Sequence, residues 1–81
     1  MINLISTLAD AKVGQTVRVK KILGQGALRR RIMDMGITKG VCITVRKLAP
    51  LGDPMQLTLR GYELTLRHEN ASLIETEICF Q

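Results

Sequence analysis

Aromatic residues are nearly absent from this 81-residue chain, which has no tryptophan, one tyrosine (Tyr62) and one phenylalanine (Phe80). With so few rings available for stacking on bases, single-stranded nucleic acid is a disfavoured ligand. The hydrophobic core must therefore be built from aliphatic side chains. A chain of this length is expected to form one domain, residues 1–81, that buries only about 60% of its unfolded surface.

Cysteine and long apolar runs are also scarce. The two cysteines, Cys42 and Cys79, are too few and too far apart in sequence for a disulfide framework or a zinc knuckle, so we expect reduced thiols. No apolar run approaches the roughly 20 residues that a membrane-spanning helix needs. Residues 1–10 lack the basic start of a signal peptide. These features predict a cytoplasmic protein without a transmembrane segment.

Residue patterns for metal binding or catalysis are missing as well. His68 is the only histidine, and the acidic residues are dispersed, so we expect no metal site and no cofactor. Ser6 and Ser72 lack the Gly-x-Ser-x-Gly setting of a hydrolase nucleophile. Gly24 and Gly26 precede a helical pattern, but the third glycine of a dinucleotide fingerprint is absent. We therefore expect no catalytic residues and no enzymatic activity.

The charge balance favours binding to an acidic partner. The formal net charge is +5 and the isoelectric point is about 9.8. Such a chain is attracted to nucleic acid, to an anionic membrane surface or to an acidic protein face. Net charge alone does not choose among these three.

Most of the sequence alternates between apolar and polar residues, which is typical of antiparallel strands with one buried face. The side chains expected to point inward are Val17, Val19, Val41, Ile43, Val45, Met55, Leu57, Leu59, Tyr62, Leu64, Leu66, Ile74, Thr76, Ile78 and Phe80. The alternation slips at Lys20 and Lys21, which predicts a β-bulge, and Gly61 marks a tight turn between two strands. This pattern predicts a mainly-β fold: a small SH3-like barrel of about five antiparallel strands, closed so that few edges remain.

One segment changes to a helical period. Leu28, Ile32 and Met35 form an apolar stripe, and Gly36 stands where a glycine would end the helix. We therefore predict one short helix over residues 27–35. A further helical turn is expected over residues 69–72.

The strongest candidate for a binding surface is the face of this helix opposite its stripe. Arg29, Arg30 and Met33 lie on that face and would offer multidentate donors beside an apolar contact. A solvated charged face is an equally good explanation, because charge runs are common on small soluble domains. A second candidate is the loop of residues 50–54, in which Leu51 is expected at the exposed tip and Asp53 beside it.

Three segments together resemble a known family. They are Arg-Arg-Ile-Met-Asp-Met-Gly-Ile (residues 30–37), Ala-Pro-Leu-Gly-Asp-Pro (residues 49–54) and Leu-Thr-Leu-Arg (residues 64–67). In this combination the chain, over residues 8–77, resembles the FeoA family of bacterial ferrous-iron transport accessory proteins. One departure is Lys39, where the family often has proline. The resemblance implies a cytoplasmic SH3-like protein whose partner is a membrane ferrous-iron permease carrying a G-protein domain, and it leaves a homo-oligomer open.

Two alternatives remain at the level of sequence. A nucleic-acid-binding SH3-like module is favoured by the net charge and by outward arginines at positions 18, 46, 60 and 67, whereas the few aromatic residues and the outward glutamates oppose it. The chain also resembles the SH3-like regulatory domain of iron-dependent repressors, which shares the fold. We expect an accessory protein that binds its permease and does not bind nucleic acid.

Overall fold

The computed structural model describes residues 6–79, and in this part of the chain six strands form one antiparallel sheet. The strands are β1 (Ser6–Thr7), β2 (Thr16–Ile22), β3 (Cys42–Leu48), β4 (Met55–Leu59), β5 (Tyr62–Leu66) and β6 (Ile74–Ile78). The helices are α1 (Gly26–Asp34) and α2 (His68–Ala71), with 3₁₀ turns at Leu8–Asp10 and Pro50–Gly52. The strand order is β1-β6-β2-β3-β4-β5. Phe80, predicted to point inward, lies outside the described residues.

The core is aliphatic and follows the predicted alternation. Val19, Ile43, Val45, Leu57 and Ile74 are almost completely buried, and their sequence neighbours point to solvent. A strand with alternating apolar residues can bury one face of the sheet while its polar face stays hydrated. The prediction of a mainly-β, antiparallel architecture with one principal helix is confirmed, and the two-residue β1 adds a sixth strand.

One polar side chain, that of Thr76, is also buried in the core. Its hydroxyl donates a hydrogen bond to the carbonyl oxygen of Ser6 at 3.1 Å, across the pairing of β6 with β1. This bond satisfies the buried hydroxyl and fixes the short β1 to the sheet.

The two ends of the sheet are covered by helical segments. Within residues 6–79, no ladder joins β1 to β5. The 3₁₀ turn that follows β1 instead contacts α2, which follows β5. Leu8 and Ala71, one from each segment, are fully buried. The barrel is therefore closed at this seam by packing and not by a strand pair, which corrects the expectation that strand closure removes the edges.

Two β-bulges bend the central strands. The register between β2 and β6 shifts between Val19 and Lys21, so the bulge predicted at Lys20 and Lys21 is confirmed. A second shift, between Val45 and Lys47, places another extra residue in β3 against β4. The regular alternation of Val41, Ile43 and Val45 in the sequence predicts no bulge there, so this one is found only in the structure. Bulges increase local twist, which suits the curvature of a small barrel.

Helix α1 is held by its apolar stripe. Ile32 is buried, and Leu28 and Met35 are half-buried against the core. The helix begins and ends one residue earlier than predicted, at Gly26 and Asp34. Gly36 has a φ of +93°, and its N–H donates to the carbonyl oxygen of Met33 at 3.0 Å, as expected of a glycine that ends a helix.

Two residues predicted to point inward lie on the core-facing side of the sheet, opposite Leu59 and Val17, but stay partly exposed at its rim. Tyr62 is 45% exposed, and its hydroxyl donates to the carbonyl oxygen of Met35 at 2.8 Å. A fully buried phenol would leave its hydroxyl in an aliphatic core, whereas at the rim the end of α1 provides a polar partner. Ile78 is 43% exposed because it is the last residue of β6, at the rim of the sheet. The second helix also begins one residue earlier than predicted, at His68.

Candidate partner-docking surface

The solvent face of α1 carries the three residues predicted as the primary binding surface. Because Leu28, Ile32 and Met35 turn the opposite face to the core, the side chains of Arg29, Arg30 and Met33 are exposed. Their placement follows directly from a helical period in a nine-residue helix.

Two depressions adjoin one another on this face. The first has a volume of about 350 Å³ and is lined by Gly26, Arg29, Arg30, Met33 and Asp34. The second has a volume of about 270 Å³ and is lined by Lys20, Lys21, Ile22, Arg29, Met33 and Lys39. Because both depressions contain Arg29 and Met33, they form one continuous surface. We call it the basic groove and define it by these nine lining residues.

The basic groove has a strong excess of positive charge. Its cations are Lys20, Lys21, Arg29, Arg30 and Lys39, against the single carboxylate of Asp34. In the part of the chain that the structure describes, the one ion pair joins Arg18 to Glu77 at 3.8 Å, outside the groove. The groove cations are thus not neutralised by ion pairs within residues 6–79, and their fields add.

An apolar side chain lies among these charges. Met33 is 37% exposed and borders both depressions. A flexible thioether adapts to an irregular partner surface, and the aliphatic stems of the neighbouring lysines extend the apolar area. The groove can therefore hold an acidic, partly apolar protein segment.

The sequence predicted part of this surface. It placed Arg29, Arg30 and Met33 together, but it missed Lys20, Lys21 and Lys39, which come from β2 and from the turn before β3. The slip of alternation at Lys20 and Lys21 was the available signal, because a bulge redirects side chains.

The second predicted surface separates into two residues with different roles. Leu51 is fully exposed at the 3₁₀ turn and has a φ of +69°. Asp53 instead makes an internal contact, since its Oδ1 accepts a hydrogen bond from the backbone N–H of His68 at 2.9 Å. This bond anchors the first residue of α2. Neither residue lines the basic groove.

A pair of thiols lies on another part of the surface. Cys42 in β3 and Cys79 just after β6 are on opposite sides of β2, and their Sγ atoms are 2.6 Å apart as free thiols. Both side chains are half-buried on the outward face of the sheet, next to Arg18. Their separation in sequence gave no indication of this contact.

The surroundings of the thiol pair shift the pKa values of Cys79 and of Arg18. A hydrogen bond with Cys42, followed by burial, raises the pKa of the Cys79 thiol, and nearby Arg18 acts in the opposite direction. The hydrogen bond from Arg18 to the Cys42 side chain also raises the pKa of the Arg18 guanidinium. The guanidinium therefore stays charged beside the two sulfur atoms.

Within residues 6–79, no helix combines the length and apolar character that a bilayer crossing requires. No three or more His, Cys, Asp or Glu side chains of the same range converge in a way that could hold a metal ion.

Known proteins are similar to this chain in both sequence and fold. The sequence-family model of the FeoA domain matches residues 6–78 of this chain. A curated protein of Porphyromonas gingivalis, the Fe(2+) transport protein A/Fe(2+) transporter FeoB fusion protein, is 37% identical over 71 residues, which are 88% of this chain. The chain spans only 8% of the length of that fusion protein.

Solved structures agree with this match. The FeoA-like protein from Clostridium acetobutylicum has a TM-score of 0.87 and 38% identity, over 99% of this chain and 93% of that one. The zinc complex of Stenotrophomonas maltophilia FeoA, described as an SH3 domain protein, has a TM-score of 0.77 and 20% identity, over 88% of each chain. The predicted SH3-like fold is thus confirmed.

Proposed function

Because the chain belongs to the FeoA domain family, whose members are small accessory domains of ferrous-iron transport, we propose that it binds a FeoB-type ferrous-iron permease through the basic groove. The binding would occur on the cytoplasmic side of the membrane. In this proposal the chain is a docking module and not an enzyme, and its role is to associate with the transporter.

The observation that carries the proposal is the groove itself, a surface of five cations around one exposed methionine. The Porphyromonas gingivalis relative supports the choice of partner, since its name joins an Fe(2+) transport protein A to an Fe(2+) transporter in one polypeptide. A fusion keeps two domains at high effective concentration, which suits domains that act together.

The character of the groove favours an acidic protein segment over nucleic acid. Among the described residues that line it, none is aromatic, so bases would find no ring on which to stack. Arginine side chains at a docking centre often dominate the binding energy, and methionine is enriched at such interfaces. The outer lysines would mainly accelerate association with a negatively charged partner.

The direct test replaces the centre of the groove. The triple variant Arg29→Ala, Arg30→Ala, Met33→Ala should bind the detergent-solubilised permease of the same organism at least about 30-fold more weakly, because a single hot spot of about 2 kcal/mol has that effect. It should also fail to support permease-dependent ferrous uptake in cells. Circular dichroism would confirm that the variant is folded.

A matched control removes the same types of side chain from positions outside the basic groove. The variant Arg46→Ala, Arg67→Ala, Leu48→Ala also loses two positive charges and one apolar side chain, and Leu48 is 39% exposed against 37% for Met33. We expect this control to bind almost normally. Equal losses in both variants would show that only net charge matters and would contradict docking at the groove.

Leu51 provides the competing docking site. If the folded groove variant supports normal uptake and Leu51→Ser does not, the binding surface lies at the loop of residues 50–54. Asp53→Asn is less informative there, because Asp53 also anchors α2.

A further inference from the structure

The Cys42–Cys79 pair has no part in the proposed docking, yet its geometry is that of a reactive site. We propose that these two thiols form a thiol–disulfide exchange site, which accepts a low-molecular-weight disulfide of the glutathione class and becomes an intramolecular disulfide. This site is independent of the basic groove and of the proposed partner.

The first support is proximity in the folded chain. The two residues are 37 positions apart in sequence, in β3 and just after β6, which both pair with β2, and their Sγ atoms lie 2.6 Å apart. A sulfur at this distance is within reach of a mixed disulfide formed on its neighbour.

The second support is the rigidity of the surroundings. The backbone N–H of Cys79 donates to the carbonyl oxygen of Thr16 at 3.2 Å, and Cys42 lies opposite Arg18 in the ladder of β2 and β3. The hydroxyls of Thr16 and Thr44 are 2.8 Å apart beside the pair. The ladder thus holds Cys42 in place, and the hydrogen bond to Thr16 holds the backbone of Cys79 beside it, which favours a pre-organised site.

The third support is access together with charge. Both cysteines are half-buried on the outward face, whereas the core lies on the other side of these strands. Arg18 lies directly opposite Cys42 in the ladder of β2 and β3, so its positive charge is close to the sulfur on which a thiolate would carry its negative charge. Cationic neighbours and partial exposure are the settings in which cysteines react.

The reaction balances in two exchange steps. The Cys42 thiolate attacks one sulfur of the small disulfide, whose S–S bond breaks, and the released thiolate takes up the proton that Cys42 lost. The Cys79 thiolate then attacks the Cys42 sulfur and releases the second small thiolate, which takes up the Cys79 proton. Two protein thiols are oxidised by two electrons, and one small disulfide is reduced to two thiols.

The test exposes the reduced full chain to oxidised glutathione without oxygen. Samples are quenched with acid, alkylated and weighed by intact mass spectrometry. We expect the main oxidised product to have lost two hydrogens and to take up no alkylating agent. Cys42→Ser and Cys79→Ser should each accumulate one glutathione adduct instead. A doubly glutathionylated chain or a disulfide-linked dimer as the main product of the wild type would overturn the proposal.

A thermal measurement tests whether the bond fits the native sheet. Closing a loop between residues 42 and 79 restricts the unfolded chain, so the oxidised protein should melt at least about 5 °C higher, and dithiothreitol should reverse the shift. A lower melting temperature after oxidation would show that the disulfide distorts the fold, and it would also overturn the proposal.

Discussion

At the scale of single residues, two glycines with similar backbones have different surroundings. Gly36 and Gly61 have φ values of +93° and +85°. A Cβ at Gly61 would meet open space, whereas at Gly36 it would collide with the hydroxyl of Tyr62. Gly61 follows Arg60, which also has a positive φ, in a two-residue turn between paired Leu59 and Tyr62. At Gly61 only the positive φ favours glycine. At Gly36 the positive φ favours it as well, and the Tyr62 hydroxyl also leaves no room for a Cβ.

We predict that Gly61→Ala lowers the free energy of unfolding by about 1–2 kcal/mol, the cost of a left-handed backbone for an ordinary residue. Gly61→Val should cost at least as much. Gly36→Ala should cost more than Gly61→Ala, because Tyr62 must also move and break its hydrogen bond to Met35. Urea unfolding monitored by circular dichroism measures all three changes.

The control for this prediction removes the obstructing atom. In a Tyr62→Phe background the hydroxyl is absent, so the additional cost of Gly36→Ala should shrink toward that of Gly61→Ala. If the difference between the two glycine variants is the same with tyrosine and with phenylalanine, the contact with Tyr62 does not explain it.

At the scale of elements, the two faces of α1 differ: one packs into the core, and the other carries the exposed residues of the proposed docking surface. Ile32 is 1% exposed in the core, and the next residue, Met33, borders the basic groove. The helix is short and would be marginal by itself, so the burial of its stripe must keep it in place. The opposite face is then free to carry charges that would be costly to bury.

We predict that Ile32→Ala lowers the free energy of unfolding by about 2–5 kcal/mol, as removal of a buried aliphatic side chain usually does. Met33→Ala should change it by less than about 0.5 kcal/mol. The midpoints of urea unfolding give both values. A large loss of stability in Met33→Ala would indicate that this side chain packs in the core and would weaken its assignment to docking.

At the scale of the whole molecule, the basic groove concentrates part of the positive charge, whereas the carboxylates and the histidine are dispersed. The chain has a net charge of +5, and the basic groove collects five of its twelve lysine and arginine residues. Its seven acidic residues and one histidine are spread along the sequence. This distribution suits a protein that recognises an acidic partner more than one that carries iron itself.

We predict that the isolated chain binds ferrous iron no more tightly than a basic protein without a site. Calorimetry under anaerobic conditions measures the affinity, and the Cys42→Ser, Cys79→Ser double variant controls for binding by the thiol pair. A stoichiometric site of micromolar or tighter affinity in the monomer would refute the prediction.

The sequence by itself determined the local structure and the family. Alternation of apolar residues located strands β2 to β6, and the change of period located α1, because the direction of a side chain depends on its own element. The slip at Lys20 and Lys21 even revealed a bulge. The motifs of residues 30–37 and 49–54 indicated the FeoA family, which the domain match confirms.

Only the tertiary structure decided which distant residues meet. Lys39 joins Arg29 in the basic groove, Cys42 meets Cys79, and the hydroxyl of Tyr62 reaches the end of α1. Each of these contacts depends on strand order, register and bulges, which join segments far apart in the chain. Periodicity carries no information about such pairings, since it describes each segment alone. The sequence could therefore predict the faces of the elements, and the fold alone brought those faces together into sites.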